Sequence, residues 1–295
     1  MHWYTAYGLS IASELLLTNL PPASNKSDVV ISLGNVKNLP VTSDASAAED
    51  IRVTGDEIWC SSKGVARFLV KEGRELIVDP EPTADEANLR STVLELGLPL
   101  LLVQRGSLVL HASSVAINDV AFILCGDSGS GKSALAFALY TLGCALVADD
   151  IVSIRFRARI PEVAPSYPEI GMWPDVLEYF GHDPVRFKKQ DQTSEKRVYP
   201  VQGRFHHESL PLGGVYVLNN GSDTKIEPIS KRQALRELDE QSWCICKSEN
   251  PVDSTHFFQY ADLVRTAEIR RLTVPRSLKR IFEVAHMVRA EAVGD

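Results

Sequence analysis

The chain lacks any apolar run long enough to cross a bilayer: its longest, LGLPLLLV at 96–103, falls far short of the ~20 residues that a spanning helix needs. It also lacks an excess of positive charge. Across 295 residues, 31 Lys and Arg stand against 38 Asp and Glu, a formal net charge of -7, whereas general nucleic-acid binding needs a basic footprint that displaces counterions from phosphates. Cysteine is scarce. The five cysteines, Cys60, Cys125, Cys144, Cys244 and Cys246, are odd in number and without disulfide-scaffold spacing, which fits a reduced compartment. Cys244-Ile245-Cys246 has no second triplet to complete a metal site, and His206-His207 is an equally bare pair. The opening MHWYTAYGLSIASELLL carries no early Lys or Arg and no small-residue cleavage site after a sustained apolar core, so no secretory signal is read there. The expectation is a soluble, cytoplasmic protein that binds neither nucleic acid nor membrane.

With 44% hydrophobic residues, the chain can bury a substantial core. Residues 1–83 show short alternating or β-branched runs, DVVISL, DIRVTG, ARFLV and ELIVDP, broken by Gly, Pro, Asn and Asp, which predicts a β-rich N-terminal region. PEPTADEANLRSTVLELG then supplies a break, an acidic first turn and apolar residues at helical spacing, so a helix starts near Ala84 and a domain boundary is placed at 83/84. The larger part, 84–295, reads as an α/β domain with a mixed sheet. Within it, LVLHASSVAINDVAFILCG predicts an antiparallel hairpin turning at Asn118-Asp119. Residues 184–206 are polar, with six Lys or Arg and two acids between Arg186 and Arg204, and predict a long loop that is either solvated or an ordering lid. In the C-terminal basic run, Ile281, Val284, Ala285 and Val288 form one face of a packing helix.

The densest chemical signal is Gly126-Asp127-Ser128-Gly129-Ser130-Gly131-Lys132-Ser133, which meets every fixed position of G-x-x-x-x-G-K-[ST] between an apolar strand and a helix. Glycines let backbone amides curl around an anion, the helix start adds its positive dipole end, Lys132 offers a charge to outer phosphates, and Ser133 can ligate magnesium. The helix, closed by Gly143 as a left-handed cap, leads to the strand CALVA and then to Asp149 and Asp150. A strand, a helix and a parallel strand form a βαβ unit, which places both acids at the phosphate edge. One acid can hold magnesium while the other accepts a proton from an attacking hydroxyl, and spacing does not decide which. If Asn118 and Asp119 are the turn residues, hairpin partners sum to 237, and His111 falls opposite Gly126.

The stretches LHASSV, GDSGSGKSALA and LVADD resemble the catalytic domain of HPr kinase/phosphorylase, a protein-serine kinase related in fold to phosphoenolpyruvate carboxykinase. The resemblance implies a P-loop fold with a mixed β-sheet, ATP held by Gly126 through Ala134, and magnesium on Ser133 and Asp150. It further implies Asp149 as proton acceptor and His111 in support of the acid pair. YPEIGMWP faintly echoes the family's later signature and would make Glu169 a second magnesium ligand; Arg197 or Lys196 in the basic loop would neutralise the migrating phosphoryl group. The family's Ser-Glu after the lysine is here Ser133-Ala134. More broadly, YTAYGLSIASEL, VQRGSLVLHASSV, SYPEIGMWPD and VPRSLKR look similar to HPr-kinase-like enzymes of lasso-peptide biosynthesis, which phosphorylate a precursor peptide at its C-terminal serine. That implies a serine-bearing peptide or small protein as partner, with HPr-type regulation or a non-catalytic ATP-sensing module as the alternatives. Oligomeric assembly is implied by analogy.

Overall fold

The computed structural model describes residues 1–36, 49–191, 194–243 and 254–294, and Cys244 and Cys246 lie outside them. The chain divides into two compact units, the first built on Met1–Ser107 and the second running from Leu108.

The first unit is a seven-stranded sheet. Its strands are β1 (His2–Ala6), β2 (Leu9–Ser13), β3 (Val29–Leu33), β4 (Glu49–Thr54), β5 (Glu57–Ser62), β6 (Ala66–Lys71) and β7 (Glu75–Pro80), in the order β1-β2-β3-β7-β6-β5-β4. Helix α1 (Glu86–Thr92) begins at Asp85, whose carboxylate accepts from the amides of Ala87 and Asn88, two donors that a helix start leaves without partners. A π turn over Val93–Gly97 leads into α2 (Leu98–Gln104), and every residue from Leu98 to Val103 is buried. Gly97 sits where a Cβ would come within 2.9 Å of Leu76, so its lack of a side chain lets the helical segment approach the sheet. Gln104 accepts from the Gly73 amide at 2.6 Å, and Arg105 donates to the Gly73 carbonyl at 2.6 Å. These contacts move the division from the expected 83/84 to between Ser107 and Leu108. The longest apolar run of the sequence is a core helix of the N-terminal unit, because it needs that sheet to cover it.

The second unit is a mixed α/β fold. Its strands are β8 (Leu108–Ile117), β9 (Val120–Gly126), β10 (Ala145–Ala148), β11 (Ile151–Arg157), β12 (Ile160–Ala164), β15 (Leu210–Asn220), β16 (Lys225–Pro228) and β17 (Glu268–Val274), with a separate pair, β13 (Glu169–Met172) and β14 (Arg197–Pro200). The hairpin register is the one read from the sequence: Ile117 faces Val120 and Ala112 faces Cys125, and Asn118 and Asp119 take φ of 50° and 59°, the left-handed pair that a two-residue turn requires. β9, β15 and β17 run parallel. β10 is antiparallel to β8, so it shares the direction of β9 but is separated from it by β8, where the sequence suggested a simple βαβ unit.

Helices cover both faces of this sheet. On one face lie α3 (Lys132–Thr141) and α7 (Ile281–Val293), through Leu135, Leu139, Val284 and Val288. On the other lie α5 (Lys231–Glu240) and α6 (Ser254–Thr266), through Ala234, Leu238 and Leu263. α3 is buried from Ala134 to Tyr140, because its remaining side packs on β13 and on α4 (Pro174–Tyr179). The expected loop at 184–206 thus contains a strand, held by a cluster of rings. Phe137 packs edge-on to Phe180 at 4.8 Å and Tyr199 at 4.7 Å, while Phe187 lies 5.3 Å from Tyr199. Arg204 stacks over Tyr140.

Phe137→Ala should lower the stability of the second unit by about 3–5 kcal/mol, the usual cost of emptying a fully packed aromatic site. Urea unfolding would measure it. Hydrogen exchange at Val198, whose amide bonds to the Lys188 carbonyl, should accelerate with it; unchanged protection there would show that the rings do not anchor the basic segment.

Candidate active site

The loop from Gly126 to Gly131 joins the end of β9 to the start of α3. Three glycines take left-handed angles, Gly126 at φ 142°, Gly129 at 77° and Gly131 at 98°, and a Cβ on Gly126 would lie 2.6 Å from the Leu218 carbonyl. Both conditions exclude a larger residue there. Lys132 is buried and donates to the carbonyls of Gly126 at 2.7 Å and Asp127 at 3.1 Å. Burial holds its ammonium pKa below the ordinary value, opposed by the charge of Asp150. Ser130 Oγ is buried and without a hydrogen-bond partner.

The two acids have different surroundings. β10 and β11 run along one edge of β8, with Ala148 opposite Ser114 and Ile151 opposite His111. Asp149 and Asp150 fall in the break between them. There the Ile151 amide bonds to the Asp149 carbonyl at 2.8 Å and Asp150 has φ 68°, which together make a tight γ-turn centred on Asp150, a conformation that is rare for a residue with a side chain. The turn sends the two carboxylates apart. Asp149 is buried and accepts from Ser113 Oγ at 2.6 Å and from the Gly171 amide at 2.9 Å. Burial, and then the charge of Asp150, push its carboxyl pKa up. Asp150 Oδ1 faces His111 Nδ1 at 3.5 Å and Lys196 Nζ at 3.9 Å.

A cleft of about 730 Å³ opens over this arrangement. His111, the segment Ser128–Ala134, Asp150 and Lys196 all line it, so the structure brings most of the residues read from the sequence to one cavity. Asp149, Glu169 and Arg197 do not line it. For Asp149, the expected proton acceptor, the reason is its enclosure by Ser113 and Gly171. Glu169 stands in β13 opposite Pro200. Arg197 stands opposite Met172 and pairs with Glu195 at 3.6 Å, and the cation that the basic segment delivers is its neighbour Lys196. Among the described residues no cluster of three or more His, Cys, Asp or Glu forms a preformed metal site, and His206 faces Asp119 at 3.7 Å.

Sequence reasoning missed Gln241, the residue that caps α5. Its side chain accepts from the Gly126 amide at 3.2 Å and donates to Asp127 Oδ1 at 3.4 Å, and its carbonyl accepts from the His111 amide at 3.0 Å. One buried residue thus ties the glycine-rich loop to the strand carrying His111. No local signal marks it, since a glutamine ending a polar helix is ordinary.

No family model matches the chain, and no curated protein matches it. Among solved structures it is similar to one described as "Structure of the Hpr(Ser) kinase/phosphatase from Coxiella burnetii", at 13% identity over 63% of this chain and 97% of that one, with a TM-score of 0.34. A likeness that low in TM-score bears no weight, and the functional reading rests on the cleft. No described helix is long and apolar enough to cross a membrane.

Gln241→Ala should remove the partner of the Gly126 amide and speed its hydrogen exchange by at least about tenfold, as expected for loss of a bond worth ~1–2 kcal/mol. Gln241→Glu, which keeps the acceptor, should retain most of the protection. Equal exchange in wild type and Gln241→Ala would show that the contact does not hold the loop. Burial, Lys132 and Lys196 hold the His111 imidazole below its ordinary pKa against the pull of Asp150. In metal-free protein its NMR titration should therefore have a low midpoint, moving up in Lys196→Ala and further down in Asp150→Asn; opposite shifts would exclude this electrostatic arrangement.

Proposed function

We propose that this protein is an ATP- and magnesium-dependent kinase that phosphorylates a serine hydroxyl of a peptide or small protein. The observation that carries the reading is the shared cleft: a glycine-rich loop with its lysine, and a carboxylate held by a histidine and a second lysine, line one cavity. A phosphate-binding loop alone would suit any nucleotide binder. The positive-φ turn that turns Asp150 into the cleft is a feature that a pure nucleotide sensor does not need.

In this reading the loop amides and Lys132 receive the polyphosphate, leaving the carbonyls of Gly126 and Asp127 that Lys132 now engages. Ser133 and Asp150 are the groups that would hold magnesium, which is bound through one or two carboxylates together with phosphate oxygens, so a cleft with no complete metal cage of its own fits the ion. When bound, magnesium neutralises charge on the transferring phosphoryl group. His111, whose Nδ1 faces Asp150 Oδ1 at 3.5 Å, takes the proton of the attacking hydroxyl. Lys196 faces the same carboxylate and supplies the positive charge for phosphoryl transfer that the sequence reading divided between it and Arg197. Asp149 shapes the turn from beneath. Positioning and charge neutralisation supply most of the rate in such a transfer. The sequence resemblance supports a peptide acceptor, and most narrowly the C-terminal serine of a lasso-peptide precursor.

Incubation with γ-labelled ATP, magnesium and serine-containing peptides should transfer label to serine, and chelation should stop it. Asp150→Asn and Lys132→Ala should each lower transfer by about 10²-fold or more, with a smaller loss in Asp149→Asn. Absence of transfer to any serine peptide despite ATP binding, or undiminished transfer in both variants, would overturn the proposal.

A further inference from the structure

The cleft extends beyond the residues used above, to the ends of two further strands. β9, β15 and β17 are parallel neighbours, with Leu218 beside Gly126 and Asn220 beside Val274. Their carboxyl ends therefore open on one edge of the sheet, where α/β folds collect ligands. The acids lie on the opposite flank of the loop, beyond β8. At ~4.8 Å between neighbouring strands, each flank extends roughly 10 Å from the loop, enough for an outstretched nucleotide on one side and an acceptor on the other.

The two flanks differ in chemistry. The acid flank offers Asp150, His111 and Lys196, where the last phosphate must meet the hydroxyl. The other is lined by Leu218, Val274, Pro275, Leu278 and Ile281, a wall of apolar groups. Above it stands Arg276, an exposed side chain lining the same cleft. With the Asn220 amide oriented to satisfy its neighbours, Asn220 Oδ1 accepts from both Nε and Nη2 of Arg276 at 3.3 Å. That contact uses the guanidinium edge rather than its flat faces. A guanidinium is weakly hydrated and stacks readily on planar rings.

We infer that the β15/β17 flank is the base subsite of the nucleotide, with the purine resting on the Val274–Leu278 wall and Arg276 stacking on it, held in place by Asn220. The inference rests on the kinase reading, since it takes the loop to hold the phosphates and the acid flank to face the acceptor. Recognition through apolar contact and a stacked cation reads the ring rather than its edge, so adenine and guanine nucleotides should bind within about threefold of each other.

Calorimetry with two probes, ATP and inorganic tripolyphosphate, tests the inference. Arg276→Ala should weaken ATP by about tenfold and leave tripolyphosphate unchanged, with Asn220→Ala giving a smaller loss of the same pattern. Unchanged ATP affinity, equal loss for both probes, or strong preference of the wild type for one purine would each overturn it. Lys132→Ala serves the separate question: it should weaken both probes, and if it weakens neither, the kinase reading fails whatever Arg276 does. Arg276 is exposed, so its replacement should leave thermal unfolding unchanged; a shifted transition together with equal loss of both probes would also count against a stacking role.

Discussion

The second unit depends on the pairing of a single strand, β8, along both of its edges. On one edge the two-residue turn at Asn118-Asp119 locks β9 in register, which sets where the glycine-rich loop begins. On the other, β10 and β11 are laid end to end, and the junction between them is where the acids sit. Because both edges are read by the same run of backbone groups, the loop and the acids cannot shift independently: a slip of one residue would turn every side chain to the opposite face. Gln241 adds a cross-tie, joining the loop's first amide to the backbone of His111.

Local strain and burial then give two adjacent aspartates different lives. A positive φ at Asp150 is costly for a residue with a side chain, by roughly 1–3 kcal/mol, and it is held by hydrogen bonds on both sides, from the Ile151 amide to the Asp149 carbonyl and from the Ala112 amide to the Asp150 carbonyl. Asp149 lies beneath it, with Ser113 and Gly171 fastening its oxygens. Burial and the neighbouring charge raise its pKa, while its hydrogen bonds and Lys196 oppose them, so the interior carboxylate is compensated rather than isolated. The half-buried partner, Asp150, faces a histidine and a lysine. A charged cleft beside an enclosed carboxylate is the kind of asymmetry that lets neighbouring acids serve different purposes.

Much of this was legible before any fold was known. The loop motif, the hairpin register, the left-handed cap at Gly143 and the packing face of α7 follow from short-range rules, in which a few residues constrain their own backbone. What escaped were relations between distant segments. The apolar stretch at 96–103 has no mark to say which sheet will cover it, and it was assigned forward when it packs backward. The intervening β8 between β9 and β10 is invisible to an argument that counts only strand, helix and strand. Lys196 and Arg197 are adjacent and alike, and only the pairing of β14 with β13, which starts at Arg197 opposite Met172, separates the Lys196 that lines the cleft from the Arg197 that meets Glu195.

By itself, the sequence determined the residue types of the site and the local geometry of the loop and the hairpin, because glycine, asparagine and aspartate at tight turns answer to their own dihedral limits. Tertiary structure alone decided which acid faces the cleft, which cation reaches it, and that a glutamine from the end of α5 braces the loop. Each of those depends on side chains from segments far apart in the chain meeting across a sheet, and no local rule carries the register between them.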